Sequence, residues 1–221
     1  MNNVLVIAAH PDDELLGCGG TLIRHIEKQD IVDVLFLADG ESSRNIKITS
    51  KILKERRENA KKVANFIGFR SIKFLNFPDN QLDKIPLLKI VKKIEKNIKI
   101  NKSNIIYTHS IADLNIDHKI AFTASLTASR PFADNNINTI LTFETPSSTE
   151  WSNNEFTPDT FINIENYISK KIEALNFYKK EMRSPPHPRS LEMIKKLSEL
   201  RGSQSGFKFA ESFKLVKKYI N

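Results

Sequence analysis

The segment Ala9-His10-Pro11-Asp12-Asp13-Glu14 places one imidazole and three carboxylates within five consecutive positions. Crowding that much negative charge costs free energy unless a cation offsets it, so the chemistry it suits is that of a divalent metal. A second polar group stands much later in the chain, as His109, Asp113, Asn115, Asp117 and His118. Catalytic zinc sites commonly take three protein ligands from His, Asp and Glu and leave a position open for water. His10 and Asp13 would supply two ligands and His118 the third, provided the fold brings the two segments together.

The elements around these residues say how that would happen. Val4-Leu5-Val6-Ile7 reads as a buried strand, so the first group falls at a strand's carboxyl end, where open α/β sheets bind ligands. Leu15, Cys18, Leu22 and Ile26 share one helical face and predict a helix over 15–28. Gly17, Gly19 and Gly20 lack the dinucleotide-fingerprint spacing and read instead as close packing of helix on strand. Val32 to Ala38 is a second strand, ending at the turn signal Asp39-Gly40 and followed by the polar loop Glu41-Ser42-Ser43-Arg44. A second helix runs from about Ser50, as N-cap, to Gly68. In it Ile52, Arg56, Ala60, Val63 and Ile67 form one stripe, which puts Arg56 on the core side. An unpaired guanidinium there is costly; either it snorkels outward or it meets the carboxylate-rich loop.

Strands over 72–75, 104–108 and 137–143 then alternate with helices over 85–98 and up to about Ser129. The last third, around 165–181, 190–200 and 209–218, is expected to be helical. Alternating buried strands and helices predict an α/β fold of three layers, α/β/α, with a Rossmann-like, mostly parallel sheet in one domain over residues 1–221.

Composition bounds the partners. No apolar run reaches the roughly 18 residues of a membrane span, and the N-terminus enters a core strand without the layout of a secretory signal. The single cysteine, Cys18, leaves no internal disulfide and fits a reducing cytoplasm, where the sequon-like Asn101-Lys102-Ser103 has no consequence. A net charge of +8 is spread over helix faces; it reads either as a solvated surface or as attraction to an anionic substrate such as a phosphorylated or nucleotide-linked sugar. No basic, aromatic-interleaved motif points to nucleic acid. Homo-oligomerisation stays open.

The first segment resembles the signature of the PIG-L/LmbE-like zinc-dependent deacetylases, complete here as Ala9 to Glu14. The family's later Asp-His pair looks like Asp117-His118, and Arg56-Arg57-Glu58, in a helix closing at Gly68, looks like its second helix. The resemblance implies that His10, Asp13 and His118 bind zinc, that Asp12 is the general base, that Arg56 reaches substrate or acetate, and that the substrate carries an N-acetylated sugar amine. Neighbouring acids cannot both ligate one ion without strain. Asp13 would therefore hold it while Asp12 faces its water and takes the proton. Asp117 would orient His118 or Asp12. Two imidazoles and a carboxylate also suit ferrous iron or another divalent ion.

One departure stands out. Many relatives carry a histidine three positions before the ligand histidine, where this chain has Asn115. An amide can donate to an oxyanion but cannot titrate near neutral pH. Protonation of the leaving amine would then fall to Asp12, His109 or His187, the last in the stiff segment Pro185-Pro186-His187-Pro188-Arg189. His187 also reads as a plain surface histidine. Arg130, Arg183, Arg189 and Arg201 gather late in the chain and suit phosphate, and Trp151 either stacks on a sugar or is packed. The segments from Met182 to Ser190 and Arg201-Gly202-Ser203 look like a bacterial subgroup associated with surface-polysaccharide or nucleotide-sugar pathways. The leading expectation is removal of an N-acetyl group from an amino sugar. The alternatives are an amidase acting on another small amide, or a silent carbohydrate-binding protein of the same fold.

Overall fold

The computed structural model describes residues 1–43, 50–131 and 136–220; Arg44 of the polar loop lies outside them. Its centre is a seven-stranded sheet in the order β3-β2-β1-β4-β5-β7-β6. The strands are β1 (Asn3–Ala8), β2 (Ile31–Ala38), β3 (Ser71–Phe77), β4 (Ile105–His109), β5 (Thr139–Phe143), β6 (Thr160–Asn163) and β7 (Ala210–Lys218). The first five run parallel, while β7 pairs antiparallel with both β5 and β6.

Strand alternation divides the core into two layers. Val4, Val6 and Ala8 of β1 face helices α1 (Asp13–Glu27), α2 (Ser50–Ile67), α5 (Ile168–Leu175) and α6 (Leu191–Ser203). Leu5 and Ile7 face α3 (Leu87–Asn101) and α4 (Ile116–Ala128). The architecture is thus three-layer α/β/α around a mostly parallel sheet. Because β1 lies between β2 and β4, the chain leaves it in opposite directions, and the crevice at the carboxyl ends of β1 and β4 is the topological switch point.

One expected helix is a strand. Residues 209–218 form β7, with buried Glu211 and Phe213 and half-buried Leu215 alternating along it. Acidic Glu211 interrupts the apolar alternation in the sequence, but it is buried because Lys171 meets it at 2.7 Å. That pair also explains a break in α1. Cys18 has non-helical dihedrals (φ −146, ψ 18). Glu211 accepts the Gly20 and Thr21 N–H groups at 2.8 and 2.7 Å, while Lys171 Nζ donates to Leu16 O at 3.1 Å. The carboxylate caps the start of the second half-helix, and the ammonium closes the first. Packing accounts for the glycines: a Cβ on Gly17 would lie 2.1 Å from the Phe143 ring, and one on Gly20 2.9 Å from Ile164.

Candidate active site

The chain leaves β1 through Asp12, whose φ of 131° and ψ of −28° no ordinary turn requires of a non-glycine residue. This reversal ends the strand and starts α1 at Asp13. The Asp12 N–H donates to Glu14 Oε2 at 3.0 Å, and Tyr178 Oη donates to Glu14 Oε1 at 2.8 Å. A buried chain from Tyr178 through Glu14 therefore holds the unusual backbone in place. Tyr178→Phe is expected to lower stability by about 1–3 kcal/mol, the cost of a buried carboxyl oxygen left without its donor. Urea unfolding measures it, with a parallel loss of turnover if Asp12 shifts.

His10, Asp13 and His118 come together here, with one ligand atom of each within 4.8 Å of the others. Asp13 Oδ2 lies 3.2 Å from His10 Nδ1 and 3.4 Å from His118 Nε2. Each ring is oriented from behind. His118 Nδ1 stands 3.0 Å from Asp113, while His10 Nε2 stands 2.9 Å from Asp79 and 3.0 Å from Asp117. Asp117 thus serves His10, and not His118 or Asp12 as the sequence suggested. Its carboxylate also accepts the Asn80 and Leu82 N–H groups at 2.7 and 2.9 Å, tying the loop after β3 to the helix that carries His118.

Among the described residues, Asp13 Oδ1 and His118 Nε2 are buried without a hydrogen-bond partner, as is His118 Nδ1 despite its approach to Asp113. Such orphans are expensive, and a cation between the first two would satisfy both. The electrostatics agree. Burial opposes charge on His118, yet Asp13 and Asp113 outweigh it and raise the ring to about 9. Burial would raise Asp113, but His118 and the Ser148 hydroxyl hold it at about 2. Burial would likewise raise Asp79, which His10 and Ser43 hold at about 2. Surroundings that draw a proton to the imidazole would draw a divalent cation to its lone pair.

His109 is not free for this work or for proton delivery. Its Nε2 accepts the Ala9 N–H at 2.9 Å, which leaves Nδ1 to donate to Thr145 Oγ1 at 3.2 Å. Burial and neighbouring His118 lower it to about 4. It acts as a spacer, its ring stacked on His118 at 3.9 Å.

Asp12 faces a polar cavity of about 150 Å³. Its carboxylate lies between two guanidiniums, with Arg56 Nη2 3.2 Å from Oδ1 and Arg189 Nη1 3.2 Å from Oδ2. Burial raises its pKa against the pull of both cations. Arg56 does not snorkel outward: it meets Glu41 at 3.0 Å and Glu181 at 2.8 Å and donates to Pro11 O at 2.8 Å. Gly40 is needed beside it, since φ is +73° and a Cβ would sit 2.8 Å from the guanidinium carbon.

Other expected site residues are engaged differently. Asn115 lines the cavity, but its Oδ1 caps α4 by accepting the Asp117 and His118 N–H groups, and its Nδ2 donates to Asn80. His187 is exposed, and its Nδ1 accepts the Arg189 N–H at 3.1 Å; the stiff loop presents Arg189, not the imidazole, to Asp12. Arg183 is exposed and donates to the carbonyls of Lys180 and Met182. Trp151 is 71% exposed. None of these three lines the cavity. Sequence reasoning missed Glu181, which carries no local signal. It also passed over Asp79 and Asn80, although both follow a strand's carboxyl end.

A buried His/Asp group at the switch point of a mostly parallel sheet is the arrangement of an α/β protein with a candidate metal centre. The family described as GlcNAc-PI de-N-acetylase (PIG-L) matches residues 5–129. The "Uncharacterized deacetylase YaiS" of Escherichia coli K12 is 32% identical over 184 residues, covering 80% of this chain and 90% of that protein. The chain belongs to the PIG-L/LmbE-like deacetylase family. The fold is similar to that of N,N'-diacetylchitobiose deacetylase from Pyrococcus horikoshii (TM-score 0.79, 18% identity, 97% of this chain and 83% of that one). It is equally similar to the 4-carboxy-2-hydroxymuconate hydratase GalB of Pseudomonas putida KT2440 (TM-score 0.79, 21% identity, 100% and 98%).

Proposed function

We propose that the protein hydrolyses the N-acetyl group of an amino-sugar substrate, with Asp12 as general base. The observation that carries this reading is the Asp12 carboxylate, buried and held in a rare backbone conformation beside a His/Asp group with unpartnered ligand atoms. His10, Asp13 and His118 would hold a divalent metal, zinc being the expected one. When bound, it would supply Lewis-acid polarisation of the amide carbonyl and acidify a water molecule.

The remaining work belongs to side chains of this protein. Asp12 takes the proton of the attacking water, and a carboxylate raised by burial is a stronger base than an exposed one. Arg56 and Arg189 grip both its oxygens, fixing its direction so that little reorganisation accompanies proton transfer. The amine must leave protonated. Asp12, having gained a proton, returns it to the nitrogen, since Asn115 cannot titrate and His109 is locked. Asp113, Asp79 and Asp117 hold the two rings in their working orientation. The likeness to chitobiose and PIG-L deacetylases supports an N-acetylated sugar substrate; phosphate- and nucleotide-linked forms are part of the proposal on the strength of the net charge of +8.

The test is acetate release from a panel of N-acetylhexosamines, free, phosphorylated and nucleotide-linked, with zinc present. Release from at least one, matched by free amine, is the expected result. No release across the panel, with loss or gain of water on an unsaturated acid instead, would replace the proposal with the hydratase chemistry known for the same fold.

A further inference from the structure

A general base works only while its carboxylate keeps a lone pair free for water. The surroundings of Asp12 put that at risk. An arginine beside a carboxylate commonly closes on it with both terminal nitrogens, as a parallel fork. Arg56 does not. Its Nη2 alone meets Asp12, 3.2 Å from Oδ1, and also donates to Pro11 O at 2.8 Å. Its Nη1 turns away, to Glu41 at 3.0 Å and Glu181 at 2.8 Å. A carboxylate offers about four lone-pair positions. Arg56 Nη2 takes one and Arg189 Nη1 another, so the split fork leaves the rest for water.

We propose that Glu181 is a positioning residue for the hydrolysis, holding Arg56 Nη1 off the Asp12 carboxylate; the inference rests on the deacetylase reading above. Its place in the cavity and the way it is delivered both support this role. Glu181 is buried and lines the catalytic cavity with Asp12 and Arg56, whereas Glu41, the other acid on Nη1, does not. The Glu181 N–H donates to Tyr178 O at 2.8 Å, closing a turn just after the ring that supports Glu14. One position earlier, Lys180 Nζ meets Glu55 at 2.6 Å on the exposed side of α2. Neighbouring residues of the two segments thus pair side by side, Lys180 with Glu55 in solvent and Glu181 with Arg56 inside. The exposed pair contributes little. The buried one lies where the direction of a guanidinium decides how much of the base stays open. Both Glu181 and Arg189 lie beyond residue 129, outside the part of the chain that the PIG-L family matches.

The experiment compares wild type, Glu181→Gln, Glu181→Asp and Lys180→Gln, equilibrated with zinc, on the N-acetylhexosamine panel. Steady-state kcat and KM are read beside bound zinc and urea unfolding midpoints. In Glu181→Gln the fork can close on Asp12, so kcat should fall roughly tenfold while KM stays within about twofold. Its zinc content should equal that of the wild type. Glu181→Asp, with the charge restored on a shorter stem, should lie between the two, and Lys180→Gln should match wild type. If Glu181→Gln does not fold, Glu181→Asp decides by the same readings. A wild-type kcat in the Glu181 variant overturns the positioning role and leaves the deacetylase standing, even if the unfolding midpoint drops. An equal loss of kcat in Lys180→Gln also overturns it, because plain anchoring of the segment to α2 would then suffice. A wild type that releases acetate from no member of the panel overturns the deacetylase reading and this role with it.

Discussion

Replacing Asp12 with asparagine is expected to lower turnover by roughly 10²–10⁴-fold, the usual contribution of a positioned general base. Shape and volume are kept, and Arg56 retains Glu41 and Glu181 as partners, so folding should survive. Metal content should survive too, because Asp12 is not among the three grouped ligand atoms of His10, Asp13 and His118. Steady-state rates beside metal analysis separate the two roles. A variant that loses activity and metal together would make Asp12 a ligand. One that keeps near-normal turnover would move the base elsewhere. Asp12→Ala is a weaker probe, since it strips both guanidiniums of an acceptor as well.

The largest effect on stability is expected at Glu211, well away from the chemistry. Glu211→Ala leaves the Lys171 ammonium buried without a counter-charge and the Gly20 and Thr21 N–H groups without an acceptor. Removing one partner of a buried pair costs about 3–5 kcal/mol, and the lost cap adds about 1 kcal/mol. Lys171→Met combined with Glu211→Gln should recover part of this, because the charge imbalance disappears while one amide oxygen still caps the half-helix. Urea unfolding midpoints rank the three proteins. If Glu211→Ala unfolds like wild type, the break at Cys18 is held by packing alone. The same change should reduce activity, since the first half of α1 carries Asp13 and Glu14.

Where local pattern and tertiary role coincide, the sequence was readable. The apolar run of β1 and the acids after it mark a strand's carboxyl end, and the second His/Asp group follows another strand, so convergence at one sheet edge followed from topology. Arg56 was visible as an oddity on a buried stripe, and the structure supplies its three acidic partners. Signals failed where one side chain had two possible uses. The proline-braced loop is stiff, as expected, but its stiffness aims Arg189 while His187 turns to solvent. Asn115 stands at the start of a helix, and its capping role uses the side-chain oxygen, which is then not free for a substrate. In β7 the buried Glu211 masks the period-two pattern, because a carboxylate reads as exposed until its distant lysine partner is known. Glu181 and Tyr178 reach the site across more than a hundred positions, and no local rule predicts that.

The account stands on one ion held by His10, Asp13 and His118. Elemental analysis of the protein after equilibration with zinc and removal of free metal tests this most directly. About one ion per chain is expected in the wild type and almost none in His118→Ala or Asp13→Ala, with circular dichroism showing both variants folded. A wild-type chain that retains no metal, or variants that retain it undiminished, would contradict it.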